Sequence, residues 1–210
     1  MSHTCAGVLL AGGAARRFDG LPKGLAMVDD IRIADRILAA LRGATDAQLV
    51  ASNEPGAHTW FPDLPVFADA VPGLGPLAGI ETALRAAAGA AVLVVAWDMP
   101  FVTTPLLRGM RALGEAGAPA VVPSHGEPPI LEALCAYYGP EALPVCSRLL
   151  ARGERRAHAL FDALPMAVMI PERVLVEHGD PQRLFLSVDT QEQLEALAGV
   201  MPRLGQAPRR

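Results

Sequence analysis

The stretch CAGVLLAGGAARRFDGLPKG, from Cys5 to Gly24, decides which fold class this chain can adopt. Its first six residues form a continuous run without polar side chains, which is typical of a strand buried on both faces of a sheet. Glycines, arginines and a lysine follow immediately. In α/β sheets ligands bind at the carboxyl ends of the strands, so this stretch predicts a buried strand that ends in a ligand-binding loop.

The rest of the chain repeats the alternation of short apolar runs with helical patterns. Further strands are predicted at residues 47–52, 65–69, 91–96, 119–124, 166–172 and 184–189. Helices are predicted at residues 33–44, 76–89 and 104–117, the last with Thr103 or Thr104 as its cap. Such alternation implies parallel pairing and right-handed crossovers, hence a layered α/β sheet. We expect one domain over residues 1–200 and a flexible tail over 201–210.

The composition excludes several classes of protein. Of the residues 51% are hydrophobic and 19% charged, the net charge is −4, and three cysteines lack metal-type spacing. No apolar run approaches the roughly 18 residues that a bilayer span needs, and the amino terminus lacks a secretory signal. We therefore expect a cytoplasmic protein with a small-molecule ligand and with no nucleic acid or membrane among its partners.

The loop after the first strand has the chemistry of a phosphate site. Gly12 and Gly13 can adopt positive φ and let backbone N–H groups approach a phosphate, while Arg16, Arg17 and Lys23 supply charge-assisted donors. The spacing matches neither G-x-G-x-x-G nor G-x-x-x-x-G-K-[ST]. The alternative is a glycine turn with solvated arginines, and the three cations favour the phosphate site.

Carboxylates follow two further predicted strands. In VLVVAWDMPF, residues 92–101, Asp98 lies just beyond the last buried residue of a predicted strand. A carboxylate there can hold Mg²⁺, or Mn²⁺ as the alternative ion, that also binds phosphate oxygens. Capping of the next helix is the other reading, but Thr103 and Thr104 lie better for it. In LFLSVDTQEQLEAL, Ser187 and Asp189 end a predicted strand, and Asp189 could cap a helix or join Asp98 at the metal.

A glycine-rich turn lies between these segments. In FADAVPGLGPLAGI, residues 67–80, Asp69 ends a strand before Gly75, Pro76 and Gly79. This concentration of residues with special backbone preferences predicts a tight wall around a flat ligand, although an ordinary strand-to-helix turn uses the same residues.

In combination, these segments resemble one family. LAGGAARRFDGLPKGL at 10–25, GPLAGI at 75–80 and WDMPF at 97–101 are similar to segments of the molybdenum cofactor guanylyltransferases, within the wider nucleotidyltransferases. EALCAYY, LLARGERRAHALF and LFLSVDT continue the likeness over nearly the whole chain. The resemblance implies a three-layer Rossmann-like nucleotidyltransferase fold with a mostly parallel sheet. It also implies a reaction of GTP with Mo-molybdopterin that gives molybdopterin guanine dinucleotide and pyrophosphate.

The same resemblance implies roles for individual residues. The backbone from Leu10 through Ala11 and Gly12 to Gly13, together with Lys23, would contact the nucleotide. Asn53 and Asp69 would lie near the base or the ribose, and Asp98 would hold Mg²⁺. A carboxylate such as Asp69 could accept from N1 and N2 of guanine, which cytosine does not offer.

Transfer of a nucleotidyl group requires positioning and neutralisation of charge. Lys23 is assigned to the α-phosphate, and Arg16 with the Gly12 and Gly13 amides to the β- and γ-phosphates. Arg155 and Arg156 are candidates for binding the phosphate or pterin of the acceptor, with a solvated helix end as the alternative. Molybdoenzymes or other cofactor-assembly proteins are the macromolecular partners that this activity suggests.

The closing segment departs from the family pattern. The family usually reads Asn-x-Asn-Thr-Pro where this chain reads Ser187, Val188, Asp189, Thr190 and Gln191. A carboxylate in place of a carboxamide keeps a metal-binding oxygen but loses a donor. CTP or another phosphorylated acceptor, and a nucleotide-binding delivery protein without catalysis, therefore stay open as alternatives.

Overall fold

The structure, a computed structural model, describes residues 4–12, 22–188 and 193. The strands are β1 Cys5–Leu10, β2 Met27–Val28, β3 Ile31–Arg32, β4 Ala47–Ala51, β5 Val66–Phe67, β6 Ala91–Ala96, β7 Ala120–His125, β8 Ile130–Leu131, β9 Cys135–Tyr138 and β10 Val168–Ile170. The α-helices are α1 Ile33–Arg42, α2 Ala57–Trp60, α3 Pro76–Ala86, α4 Thr104–Glu115, α5 Ala142–Ala151, α6 His158–Ala163, α7 Glu172–Leu175 and α8 Pro181–Leu184, and Lys23–Leu25 forms a 3₁₀-helix.

The main sheet has the order β10-β7-β9-β6-β1-β4-β5, with β8 paired to β7. β1 is central and pairs in parallel with both β4 and β6. The short strand β9 lies between β6 and β7 and runs antiparallel to both. β2 and β3 form a separate antiparallel pair. The sheet is therefore mostly parallel, as predicted.

Helices cover both faces of the sheet and make two hydrophobic cores. Alternate residues of β6 face opposite sides: Leu93 and Val95 pack in the core that α1 and α4 cover, whereas Val92 and Val94 pack in the core of α3, α5 and α6. The continuous apolar run in β6 is explained by this burial on both faces. The three-layer α/β fold that the resemblance implied is confirmed.

The predicted strand at 184–189 is wrong for the residues that the structure describes. Helix α8 ends at Leu184, and residues 185–188 have no regular secondary structure. Leu184, Phe185 and Val188 are nevertheless buried, so the apolar pattern reflects burial of an irregular segment. Asp189 and the predicted tail at 201–210 lie outside the described residues.

Of the two alternatives for the cap of α4, Thr103 is the one that the structure selects. Its side chain accepts a hydrogen bond from the N–H of Leu106 at 3.4 Å. Asp98 is therefore not needed as a cap for this helix, which leaves its carboxylate available for another role. Among the described segments, no helix combines the length and the apolar character needed to cross a bilayer.

Candidate functional site

A cavity of about 630 Å³ opens at the carboxyl ends of β1, β4 and β6 and at the amino end of α3. Its volume lies in the range of small-molecule sites in proteins, roughly 300–1,000 Å³. The residues that line it are Leu10, Gly12, Ala51, Ser52, Asn53, Glu54, Asp69, Pro72, Gly73, Gly75, Pro76, Gly79, Ala96, Trp97, Asp98, Met99, Leu134 and Ser187. The cavity thus brings together most of the predicted site residues that the structure describes.

Asp98 lies in this cavity and is held by the closing segment. The Oγ of Ser187 donates a 2.8 Å hydrogen bond to Oδ2 of Asp98. The N–H of Val188 donates to the carbonyl oxygen of Asp98 at 3.1 Å. Oδ1 has no hydrogen-bond partner among the described residues. The side chain therefore presents an oriented carboxylate oxygen, the ligand type that Mg²⁺ prefers.

No group of three or more His, Cys, Asp or Glu side chains that could hold a metal occurs in the described part of the chain. Mg²⁺ does not require such a group, because it is usually bound through one or two carboxylates together with waters and substrate phosphates. Asp98 is the described residue whose chemistry suits this role.

Asp69 belongs to a network of hydrogen bonds on the opposite wall. Its Oδ2 accepts from Nδ2 of Asn53 at 2.7 Å, and its backbone N–H donates to Oδ1 of Asn53 at 2.8 Å. Its Oδ1 accepts a 2.6 Å hydrogen bond from the hydroxyl of Thr82 on α3. Each carboxylate oxygen keeps a second lone pair, so Asp69 can still accept from a ligand, in an orientation fixed from within.

The backbone at the end of β1 is tied to the strands on either side. The N–H of Ala11 donates to the carbonyl of Ala51 at 2.8 Å, and the carbonyl of Leu10 accepts from the N–H of Trp97 at 3.2 Å. The buried hydroxyl of Ser52 donates to the carbonyl of Ala11. Among the described residues, the amide of Gly12 has no partner. Within residues 10–12, the N–H of Gly12 is therefore available to donate a hydrogen bond to a phosphate.

Gly12 does not use the positive φ that a glycine can adopt. Gly12 is not among the described glycines with positive φ, and a Cβ there would meet no atom within 4 Å. Gly75 does have a positive φ of 80°, and a Cβ there would lie 3.0 Å from the carbonyl oxygen of Arg155. At Gly79 a Cβ would make only an ordinary 3.7 Å contact with Leu10. Sterics therefore demand a glycine at Gly75 but not at Gly12 or Gly79.

Lys23 is buried in its 3₁₀-helix, with 8% of its surface exposed, and is not among the residues that line the cavity. The next residue, Gly24, lies so close to the indole of Trp97 that a Cβ would be 2.5 Å from Cε3. Trp97 precedes Asp98 and lines the cavity. The structure therefore places the Lys23 helix beside the Asp98 segment, and contact of Lys23 with phosphate stays a prediction.

A second, smaller cavity of about 290 Å³ adjoins the first and shares Pro76, Met99 and Leu134 with it. Its other lining residues are Leu131, Glu132, Ala133, Arg156, Ala157 and His158. Of the two arginines predicted for the acceptor, Arg156 lines this cavity. Arg155 contacts the first turn of α3, where its carbonyl accepts from the N–H of Leu77 at 3.2 Å.

Arg156 is already paired with Glu154. Its Nε donates to Oε1 of Glu154 at 2.9 Å and its NH2 to Oε2 at 2.7 Å. These bonds, with the N–H groups of Arg156 and Arg155, hold the pKa of the Glu154 carboxyl well below its usual value and raise the pKa of Arg156. Arg155 and Arg156 lie in the loop between α5 and α6, and the side chain of Arg156 is 68% exposed. Solvated arginines beside a helix end therefore stay the alternative to an acceptor role.

Gly13, Arg16 and Asp189 lie outside the described residues, so their predicted roles stay predictions. Sequence reasoning missed Ser52, Thr82 and Trp97. Ser52 and Thr82 are buried polar residues, one at the end of a predicted strand and one inside a predicted helix. A hydroxyl at such a position is a usable signal, because a buried polar group needs a hydrogen-bond partner.

The mostly parallel α/β sheet, the cavity at its strand ends and the oriented carboxylate fit a nucleotidyltransferase, and the match to a family of NTP transferases shows that class. Residues 7–199 match the family described as the MobA-like NTP transferase domain, and the chain belongs to that family. The chain is 33% identical over 194 residues to a probable molybdenum cofactor guanylyltransferase of Chloroflexus aggregans, covering 90% of this chain and 91% of that protein. It is 28% identical to the molybdenum cofactor guanylyltransferase of Desulfosudis oleivorans, covering 90% and 92% of the two chains.

The fold is also similar to a crystal structure of the molybdopterin-guanine dinucleotide biosynthesis protein A of Archaeoglobus fulgidus. The TM-score is 0.76 at 24% sequence identity, and the superposition covers 93% of this chain and 97% of that one. At this identity the likeness supports the fold alone. It agrees with the architecture that the sequence resemblance implied.

Proposed function

We propose that the protein transfers the GMP moiety of GTP to Mo-molybdopterin, giving molybdopterin guanine dinucleotide and pyrophosphate. The observation that carries the proposal is the oriented carboxylate of Asp98 in a cavity of nucleotide size. The relatives named molybdenum cofactor guanylyltransferase, which match most of the chain, supply the substrate class.

The reaction is an in-line displacement at the α-phosphorus of GTP, with a phosphate oxygen of the acceptor as nucleophile and pyrophosphate as leaving group. A deprotonated phosphate is already nucleophilic, so no general base is required. What the protein has to supply is positioning and the neutralisation of charge.

Asp98 would hold the Mg²⁺ or Mn²⁺ ion, in an orientation fixed by Ser187. A divalent ion at this position would neutralise charge on phosphate oxygens. Lys23 would stabilise the negative charge that develops on the α-phosphate. Arg16 and the amides of Gly12 and Gly13 would bind the β- and γ-phosphates.

The two cavities suit the two substrates. The larger contains Asn53 and Asp69, which we assign to the guanine or the ribose of GTP, between walls that include Gly75 and Gly79. The smaller contains Arg156 and adjoins the larger one, which suits an acceptor whose phosphate must reach the nucleotide. Arg155 would assist on this side, together with Ser187 and Asp189 of the closing segment.

A nucleotide panel tests this proposal. GTP, CTP, ATP and UTP would each be incubated with Mg²⁺ and Mo-molybdopterin, with pyrophosphate release as the readout. We expect turnover with GTP that exceeds turnover with the other nucleotides, and a loss of about 10²-fold or more in Asp98→Ala.

Turnover led by CTP would replace the guanylyl assignment by a cytidylyl one. GTP binding without pyrophosphate release would indicate a non-catalytic nucleotide-binding protein. Activity at the wild-type level in Asp98→Ala would exclude the metal role of that residue. Circular dichroism of the variant separates loss of the site from loss of the fold, because a half-buried carboxylate at a strand end contributes little packing.

A further inference from the structure

Glu132 is a polar residue that lines the smaller cavity, and it has no role in the reaction proposed for this site. We propose that it recognises the acceptor by accepting hydrogen bonds from the ring N–H and the 2-amino group of a 2-amino-4-oxopteridine. The inference rests on the proposed function, because it takes the acceptor to be a pterin. It adds a specificity-determining residue on the acceptor side.

The backbone fixes Glu132 between two strands of the sheet. Glu132 directly follows β8, and its N–H donates to the carbonyl of Pro123 on β7 at 2.9 Å. Its carbonyl accepts from the N–H of Cys135, the first residue of β9, at 2.8 Å. A residue anchored on both sides in this way can hold its side chain in one orientation at the cavity wall.

The carboxylate is largely buried and only partly satisfied. Its side chain is 15% exposed, and Oε1 lies 2.7 Å from Nε2 of His125. Oε2 has no hydrogen-bond partner among the described residues. The contact with His125 uses one oxygen of the carboxylate and leaves Oε2 accessible at the cavity wall. A ligand with an N–H group can therefore donate to this oxygen.

His125 acts as a positioning residue for this carboxylate. Its imidazole stacks on the ring of Phe185, with centroids 5.2 Å apart and an angle of 23° between the planes. Phe185 is itself buried and lies two residues before Ser187. The orientation of Glu132 is therefore set by the same closing segment that orients Asp98.

The ligand chemistry follows from the donor pattern. The pyrimidine half of a pterin presents N3–H and the 2-amino group side by side, and a carboxylate can accept from both at once. The apolar side chains of Leu131 and Ala133 flank Glu132 in the wall and suit a flat ring. Because Pro76, Met99 and Leu134 line both cavities, a pterin held here would extend its phosphate towards the nucleotide.

Binding of two small compounds, pterin and lumazine, to the whole protein tests the proposal. Pterin has the 2-amino group, whereas lumazine carries an oxygen at that position and is otherwise matched in shape. Binding of each would be measured by fluorescence titration in the presence of saturating GTP, which keeps the nucleotide cavity filled. We expect wild-type protein to bind pterin at least about tenfold more tightly than lumazine, since a site built for a donor rejects the analogue without it.

The variant Glu132→Gln should lose this preference, because an amide cannot accept from both donors. Glu115→Gln, which changes a surface partner of Arg111 on α4, is the matched control and should keep it. Equal binding of pterin and lumazine by the wild-type protein overturns the inference without any variant. So does a Glu132→Gln protein that keeps the preference, or one whose only defect is a raised KM for GTP.

Failure here is distinguishable from failure of the proposed function. If the protein releases pyrophosphate from GTP with Mo-molybdopterin but binds pterin and lumazine equally, the transferase activity stands and the role of Glu132 is wrong. Absence of pyrophosphate release with every nucleotide removes the transferase itself.

Discussion

The hydroxyl of Ser187 donates a 2.8 Å hydrogen bond to Oδ2 of Asp98, which is 89 residues earlier in the chain. The contact joins the closing segment to the end of β6, and Val188 reinforces it through the carbonyl of Asp98. One oxygen of the carboxylate is thereby oriented by the protein, and the other has no hydrogen-bond partner among the described residues. Partners of this kind tune how strongly a residue holds a metal ion.

Ser187→Ala should weaken the apparent affinity for Mg²⁺ by about tenfold, because hydrogen bonds to metal ligands are typically worth about 10–100-fold in metal affinity. The measurement is the Mg²⁺ concentration that gives half-maximal pyrophosphate release. Ser147→Ala is a matched control, since Ser147 also donates to a carboxylate, that of Glu81, away from the cavity. An unchanged Mg²⁺ requirement in Ser187→Ala would mean that Asp98 needs no such support.

Much of this site could be predicted because its residues follow strand ends. A buried strand followed by a polar residue is visible in VLVVAWD and in CAGVLLAGG, and the sheet brings such ends to one edge. The structure accordingly places Leu10, Asp69 and Asp98 around one cavity.

Contacts that depend on tertiary packing were not visible in the sequence. The bonds of Thr82 to Asp69 and of Ser187 to Asp98 join elements 13 and 89 residues apart, and local patterns carry no such information. The strand predicted at 184–189 is wrong because a local apolar pattern does not show whether a partner strand lies beside it. Leu184, Phe185 and Val188 are buried, but no neighbouring strand pairs with residues 185–188.

Lys23→Ala should reduce turnover by about 10²-fold if Lys23 neutralises charge in the transition state. Lys23 is largely buried, so loss of its methylene groups could also loosen the 3₁₀-helix. Lys23→Met separates the two effects, because methionine keeps an unbranched apolar stem and removes the charge. We expect Lys23→Met to unfold at a denaturant concentration close to that of the wild type and to have the low turnover of the alanine variant. A normal rate in Lys23→Met would place the phosphate-binding cation elsewhere.

Thr82→Val should raise the KM for GTP by about tenfold and leave kcat nearly unchanged. Valine has the shape of threonine, but it removes the 2.6 Å hydrogen bond to Oδ1 of Asp69, and a hydrogen bond to a charged group is worth about 1.5–3 kcal/mol. Thr82→Ser keeps the hydroxyl and should keep most of the affinity.

Two GTP analogues show what Asp69 contacts. Inosine triphosphate lacks the 2-amino group of guanine, and 2′-deoxy-GTP lacks a ribose hydroxyl. If Asp69 accepts from the base, Thr82→Val should narrow the difference in KM between GTP and inosine triphosphate. If Asp69 accepts from the ribose, Thr82→Val should instead narrow the difference in KM between GTP and 2′-deoxy-GTP. If the KM for GTP is the same in Thr82→Val and in the wild type, Asp69 does not contribute to nucleotide binding.

Gly24→Ala should destabilise the protein by about 1–3 kcal/mol, the usual cost of overpacking. The added Cβ would lie 2.5 Å from Cε3 and 2.7 Å from Cδ2 of Trp97. The indole of Trp97 is buried and stacked on Trp60 with centroids 6.3 Å apart, so it has little room to move. Urea unfolding followed by tryptophan fluorescence measures the change in the free energy of unfolding.

Gly79→Ala is the matched control and should not lower the free energy of unfolding. Its Cβ would make an ordinary 3.7 Å contact with Leu10, and Gly79 lies inside helix α3. Alanine in a helix interior is favoured over glycine by about 0.8–1 kcal/mol, so this variant should be as stable as the wild type or more so. Because both glycines lie close to the site, the comparison separates a steric requirement from proximity alone. Equal destabilisation by both substitutions would contradict the packing of the Lys23 helix against Trp97 that the proposed mechanism requires.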